Sequence, residues 1–131
     1  MAELHAQCFD TPRPWSEVEF ATLLQSDSTV HCHVDCGFIL GRVTGDEAEV
    51  LTIAVAPGLR KQGKGTKLLA NFEISLRKSA VRTIFLEVAA NNKAAIQLYR
   101  TSGFTETGRR KIYYRTPTGQ RVDALVLSKH I

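Results

Sequence analysis

The stretch Val55-Ala56-Pro57-Gly58-Leu59-Arg60-Lys61-Gln62-Gly63-Lys64-Gly65-Thr66-Lys67-Leu68-Leu69 decides the reading of this chain. An apolar, strand-like run ends at Pro57-Gly58, a basic loop with two glycines follows, and an amphipathic helix begins at once. The first N–H groups of a helix have no carbonyl of their own to bond, and they lie at the positive end of its dipole. A loop leading straight into them forms an anion site. Gly63 and Gly65 carry no side chain to hold a pyrophosphate away from the backbone. Arg60, Lys61, Lys64 and Lys67 surround the loop with positive charge. The residues alone leave two readings side by side: a pyrophosphate cradle, and a plain glycine turn between strand and helix. The full Walker pattern Gly-x-x-x-x-Gly-Lys-Ser/Thr is absent, and so is the third glycine of the Rossmann fingerprint, where Thr66-Lys67-Leu68 stand instead.

Composition bounds the rest. A length of 131 residues predicts a single domain, 1–131, able to bury a core without disulfides or metals. Apolar content of 44% and charged content of 23% are ordinary for a soluble globular protein. The net charge of +4 suits an anionic ligand or an acidic partner. Outside the loop and Arg109-Arg110-Lys111 the basic residues are scattered, so no nucleic-acid partner is expected. No secretory signal and no bilayer-spanning apolar run is present, which predicts a cytoplasmic protein without a membrane partner. Cys8, Cys32 and Cys36 are odd in number and lack metal spacing, so reduced thiols are expected. His31 and His33 alternate along one strand face, and with no third ligand in sight they predict a solvated edge rather than a metal site.

Periodicity gives the order of elements. Residues 2–9 read as a short helix that Pro12-Arg13-Pro14 breaks. Ser16 is a good N-cap for a helix from Glu17 to about Gln25, with Glu19 in the capping-box position and Phe20, Leu23 and Leu24 inward. Thr29–Val34, Phe38–Thr44 and Glu47–Ala56 read as strands joined by tight turns. A helix from about Gly63 to Ser79 places Leu68, Leu69, Phe72 and Leu76 on its apolar face. Arg82–Val88 is a buried strand, Asn92 to about Ser102 a helix capped by Gly103, and Phe104–Tyr114 with Val122–Ser128 a final antiparallel pair. A meander followed by a βαβ unit predicts a mixed central sheet with helices on both faces, an α/β (α+β) architecture. Two side chains stand out chemically. Glu87 lies in an apolar strand, either as a functional carboxylate or as one that reaches water or a basic partner. Tyr99 lies on the following helix, where packing with the hydroxyl at the surface is the usual outcome.

Taken in order, these motifs resemble the GNAT superfamily of N-acetyltransferases. Arg60-Lys61-Gln62-Gly63-Lys64-Gly65 matches that family's Arg/Gln-x-x-Gly-x-Gly/Ala loop. Leu51-Thr52-Ile53-Ala54-Val55-Ala56-Pro57 is similar to its central strand. Leu86-Glu87-Val88, then Asn91-Asn92-Lys93-Ala94-Ala95-Ile96-Gln97-Leu98-Tyr99 and Ser102-Gly103-Phe104, resemble its second half. Pro14-Trp15-Ser16-Glu17, Arg110-Lys111-Ile112-Tyr113-Tyr114 and Asp123-Ala124 are similar to the bacterial branch that acetylates the N-terminal alanine of a small-subunit ribosomal protein. The family opens with a strand before its first helix. Met1 stands almost at that helix, so the first strand is expected to be missing.

The resemblance implies acetyl-CoA as cosubstrate, bound where two parallel strands ending near Val55 and Val88 splay apart. It implies Ile53, Ala54 and Val55 beside the pantetheine arm, with a backbone N–H near Val55 on the thioester carbonyl. Arg60, Lys61, Gln62, Gly63, Lys64, Gly65 and Thr66 would lie around the pyrophosphate, and Asn92 would hydrogen-bond the arm. It implies Glu87 as general base and Tyr99 as general acid in a direct transfer to an α-amine, with no covalent enzyme intermediate and no metal. The expected partner is a protein N-terminal tail, a ribosomal protein by resemblance, acetylated by a monomer or weak homodimer. Trp15, Tyr113, Tyr114 and Asp123 are candidates for the acceptor side. Two other readings compete: acetylation of a small amine such as a polyamine or antibiotic, and a non-catalytic acyl-CoA-binding module.

Overall fold

The computed structural model describes residues 16–35, 37–56, 63–115, 119 and 121–131, with the side chains of Leu23 and of residues 112–115 outside the description. The expected helix at 2–9 therefore lies outside the described residues, as do Trp15, Cys8 and Cys36. Helix α1 spans Glu17–Leu24. Its capping box is closed: the Ser16 Oγ accepts from the Glu19 N–H, and the Glu19 carboxylate accepts from the Ser16 N–H, each at 3.2 Å. Phe20 is buried and meets Phe38 edge-on at 5.6 Å. Leu24, expected to point inward, is 42% exposed. The helix ends at Leu24, and its buried contact is the turn that carries Phe20.

Six strands form one sheet: β1 Thr29–Val34, β2 Gly37–Thr44, β3 Glu47–Val55, β4 Thr83–Ala89, β5 Thr105–Arg115 and β6 Arg121–His130, in the spatial order β1-β2-β3-β4-β6-β5. All pairings are antiparallel except β3 with β4. That parallel pair needs a crossover, which helix α2, Lys64–Arg77, supplies. Helix α3, Lys93–Thr101, links β4 to the closing hairpin. Among the described residues, strand and helix bounds fall within two residues of those read from the sequence at every end, the last strand running on past Ser128 to His130.

The main core lies under α2 and α3. Leu68, Leu69, Phe72 and Leu76 of α2 pack with Ile39, Val50, Ile84, Leu86, Val88, Leu125 and Leu127 of the sheet and with Tyr99 and Phe104. Phe20 on Phe38 covers the other face, so helices do lie on both sides.

The end of α3 is closed by a Schellman motif. The Phe104 N–H donates to the Tyr99 carbonyl at 3.0 Å and the Gly103 N–H to that of Arg100 at 3.1 Å. Gly103 takes φ +97°, which a side chain resists. The carbonyl of Ser102 is met by Lys129 Nζ at 2.9 Å, and the same ammonium holds Glu73 of α2 at 2.9 Å. One half-buried lysine of β6 thus joins both helices of the core layer. Lys129→Met keeps the aliphatic stem and removes both charge-assisted bonds. It is expected to cost about 1.5–3 kcal/mol in urea unfolding.

On the edge strand, His31 Nδ1 and His33 Nε2 lie 3.1 Å apart, and both residues are exposed. Among the described residues no three potential ligands gather around a metal position. Partial burial, and then the neighbouring His31, hold the His33 imidazole below its ordinary value of 6.5. A histidine depressed in the folded state stays neutral while the unfolded chain protonates. Its contribution is therefore intact above about pH 6.5 and is lost as pH falls below that. His33→Asn should flatten the fall in melting temperature between about pH 7 and pH 5.5, and an unchanged slope would remove His33 from the account.

Candidate active site

The site begins where β3 and β4 part. They pair only from Glu47↔Thr83 to Val50↔Leu86. Beyond that point β3 runs on through Leu51–Val55 and β4 through Glu87–Ala89, each paired on its outer side alone. The parting coincides with a β-bulge. Gly41 pairs with Val50 and Leu40 with Thr52, so Leu51 is the extra residue of β3. A bulge bends its strand and changes which residues face which side. Ala48 and Val50 face the α2 core before it, Ile53 and Val55 pack there after it, and Thr52 and Ala54 turn to the opposite face with Leu40 and Phe38. The result is a gap in the middle of a sheet, walled by strand backbone. An extended ligand with amide groups matches such an edge.

The element that follows β3 is α2. Gly63 is its N-cap, in the left-handed region at φ 77°, and no side chain caps the helix. The first helical bond runs from the Lys67 N–H to the Gly63 carbonyl at 3.0 Å, so the N–H groups of Lys64, Gly65 and Thr66 have no carbonyl within the helix. The first turn holds no acidic residue, whereas α1 opens with Glu17 and Glu19. Lys64 and Lys67 at the positive end of a dipole make sense with an anion there. Gly65 also serves packing. A Cβ on it would stand 2.9 Å from Leu98 Cδ2, so this glycine lets α2 meet α3. Arg60, Lys61 and Gln62 lie outside the described residues.

The N-cap of α3 is Asn92, whose Oδ1 accepts from the Ala95 N–H at 3.2 Å. Its oxygen is committed to the helix, and its NH2 group is what remains to donate to a ligand. Tyr99 is on the second turn of that helix. It is 6% exposed, more buried than a surface tyrosine, and its ring meets Phe104 at 5.8 Å. Phe104 is the residue that the Schellman turn folds back over α3, so Ser102-Gly103-Phe104 fixes where the Tyr99 ring sits.

Glu87 is the first residue of β4 past its last pair with β3. Leu86 and Val88 on either side of it face the core that contains Tyr99, so Glu87 faces the opposite side of the sheet. Its carboxylate is 21% exposed and its Oε1 lies 3.2 Å from Arg110 Nε. Asp123, on the core side of β6, pairs with Arg109 at 3.3 Å and accepts the Ala90 N–H on its carbonyl. Ile53–Val55 and Glu87 thus lie on the two strands past their last shared pair, Asn92 caps the helix that follows β4, and Lys64–Thr66 open the helix that follows β3. Tyr99 stands in the core layer. Sequence reading missed Leu98, Phe104 as the support of Tyr99, and Arg110 as the partner of Glu87. Cross-strand partners depend on register, which single-strand patterns do not carry.

Residues 2–104 match the family model described as Acetyltransferase (GNAT) family. The ribosomal protein bS18-alanine N-acetyltransferase of Escherichia coli K12 is 38% identical over 120 residues, 88% of this chain and 80% of the relative. The protein of the same name from Haemophilus influenzae is 32% identical over 125 residues, 90% and 83% of the two chains. The crystal structure of the Escherichia coli ribosomal-protein-S18-alanine N-acetyltransferase superposes with a TM-score of 0.87 at 35% identity, over 99% of this chain and 84% of that one. The chain belongs to the GNAT acetyltransferase family. It is an acyltransferase, and its mixed six-stranded sheet with flanking helices is the GNAT fold. GNAT acetyltransferases draw their acetyl group from acetyl-CoA, and the described residues fit that donor: an uncapped, acid-free helix start for phosphate and a strand edge for the amide arm. In this GNAT chain Gly65→Ala should destabilise by about 1–3 kcal/mol and raise KM for acetyl-CoA, because α2 is pushed off Leu98. Leu98→Ala in the same chain should recover most of both effects, as read by urea unfolding and initial rates.

Proposed function

We propose that this chain is a protein N-terminal acetyltransferase, transferring an acetyl group from acetyl-CoA to the α-amine of an alanine-starting ribosomal protein. The observation that carries this reading is the shared acceptor in the names of its relatives, which the chain matches along most of both lengths. The assignment takes residues 1–131 as one domain, working in the cytoplasm as a monomer or weak homodimer. Among the described residues no helix is long and apolar enough to cross a membrane, which agrees with a soluble acceptor.

Bound acetyl-CoA supplies a thioester carbonyl, to which an amine adds as the thiolate leaves. The side chains divide the remaining work. The N–H groups of Lys64, Gly65 and Thr66, with the charges of Lys64 and Lys67, hold the pyrophosphate. Arg60, Lys61 and Gln62 complete that loop. Backbone groups of Ile53, Ala54 and Val55 extend β3 toward the donor's amide arm, and the Asn92 amide NH2 donates to it. Glu87 takes a proton from the acceptor. An α-amine has an ordinary pKa of about 7.7–8.0, so much of it arrives as ammonium near neutral pH and a base is needed. The Tyr99 hydroxyl returns a proton to the leaving sulfur.

Thiol release from acetyl-CoA tests the reading, with an alanine-starting ribosomal N-terminal peptide, an N-blocked lysine peptide and a polyamine as parallel acceptors. Turnover is expected with the free alanine terminus alone. Glu87→Gln should lower kcat by about 100-fold or more, and Tyr99→Phe by about 10- to 100-fold, with little change in KM for acetyl-CoA. Turnover of the polyamine but not the peptide would keep the enzyme class and overturn the ribosomal acceptor.

A further inference from the structure

The hairpin β5–β6 carries two adjacent arginines, and each meets a carboxylate on a different face of the sheet. Arg109 Nη1 lies 3.3 Å from Asp123 on the core face, and Arg110 Nε lies 3.2 Å from Glu87 on the other. A register irregularity makes this division. Glu106 pairs with Leu127 and Gly108 with Val126, so Thr107 is an extra residue of β5. Without that extra residue every later side chain would change face, and Arg109 rather than Arg110 would stand on the side of Glu87. The bulge therefore selects which arginine reaches the carboxylate.

The path between the two is prepared. In register, Glu87 pairs with Val126 and Val126 with Gly108, while Ala89 pairs with Ala124 and Ala124 with Arg110. Arg110 is thus two strands from β4, roughly 10 Å at the usual strand spacing. Ala124 is short and fully buried, and Gly108 has no side chain. The register thus places only small residues between the strands that carry the pair. The contact is made to Oε1 through Nε.

We propose that Arg110 is a positioning residue for the acetyl transfer: it fixes Glu87 by one carboxylate oxygen so that the other faces the acceptor amine, directly or through water. The proposal rests on the reading of Glu87 as the base. It also gives the second hairpin a part in the reaction, because the base on β4 is oriented by a strand at the far edge of the sheet. Lysine is a poor substitute, since its point charge lacks the planar guanidinium that sets the direction of the carboxylate.

A double-mutant cycle tests it, read as kcat and KM with the acceptor that the full-length enzyme turns over. Arg110→Gln should lower kcat about 10-fold with KM for acetyl-CoA unchanged, and should have no further effect in a Glu87→Gln background. Arg110→Lys should recover only part of the loss. Arg109→Gln, which removes the same charge from the opposite face, should leave kcat within about twofold and act additively with Glu87→Gln. An equal fall in kcat from Arg110→Gln in both backgrounds would overturn the proposal and make the residue structural. A Glu87→Gln enzyme with undiminished kcat would instead overturn the reading of the base, and the role of Arg110 with it.

Discussion

The fold turns on one local constraint, the single extra residue at Leu51. Parallel neighbours in the middle of a sheet normally pair along their whole length, because an unpaired buried backbone group is costly. β3 and β4 stop after Val50↔Leu86. The bulge bends β3 at that point and carries it away from β4, yet Ile53 and Val55 still reach the core. The strand therefore keeps its packing while giving up one row of hydrogen bonds. What would be a defect in a structural sheet becomes a slot whose walls are donors and acceptors. On the proposed reading, a thioester on an amide-bearing arm fits such walls, and its binding would offset the bonds that the two strands leave unmade.

Helix ends do the rest, by opposite uses of the same chemistry. At α1 the orphan N–H groups are closed by Ser16 and Glu19, and the acids of the first turn answer the dipole. At α2 no N-cap side chain closes them: the cap is a glycine, the first turn has no acid, and two lysines add to the positive field. Such an end is unfavourable as bare structure and favourable around phosphate. α3 lies between these extremes, with Asn92 capping by its oxygen and keeping its NH2 for other use. The close approach of Gly65 to Leu98 couples the phosphate end of α2 to the helix that carries Tyr99. Donor binding and placement of the tyrosine are therefore not mechanically independent.

How legible was this beforehand? Features written within one element were plain in the sequence. The capping box of α1, the face Leu68, Leu69, Phe72 and Leu76 of α2, and Gly103 as a helix stop all stand where local patterns put them. The meander and the crossover followed from the order of elements. Features that depend on two elements were hidden. No pattern in β3 marks Leu51 as extra, because a bulge is defined only against β2. Arg109-Arg110-Lys111 read as a basic run, and only the Thr107 irregularity assigns each arginine a face. Leu24 fits an inward stripe by spacing, yet it ends the helix and stays exposed. For Gly65 the contact with Leu98 was hidden, since it depends on how two helices meet.

The two groups assigned to proton transfer occupy environments suited to their charge. Tyr99 sits among apolar side chains against Phe104, nearly without solvent. A phenol is neutral near pH 7, so its resting state loses little by that burial. A carboxylate there would carry an unpaired charge into low dielectric, at a cost of several kcal/mol. Glu87 avoids this by facing the other side of the sheet, where it keeps some exposure and a guanidinium partner. An uninterrupted sheet would keep these two residues apart, because neighbouring strands about 4.8 Å from one another leave no passage. On the proposed assignment, the end of pairing after Val50 and Leu86 is where base and acid would address one reacting centre from opposite faces. The extra residue at Leu51 therefore does more than admit the donor. On the proposed assignment, it would let a carboxylate base and a buried acid serve the same reaction without sharing an environment.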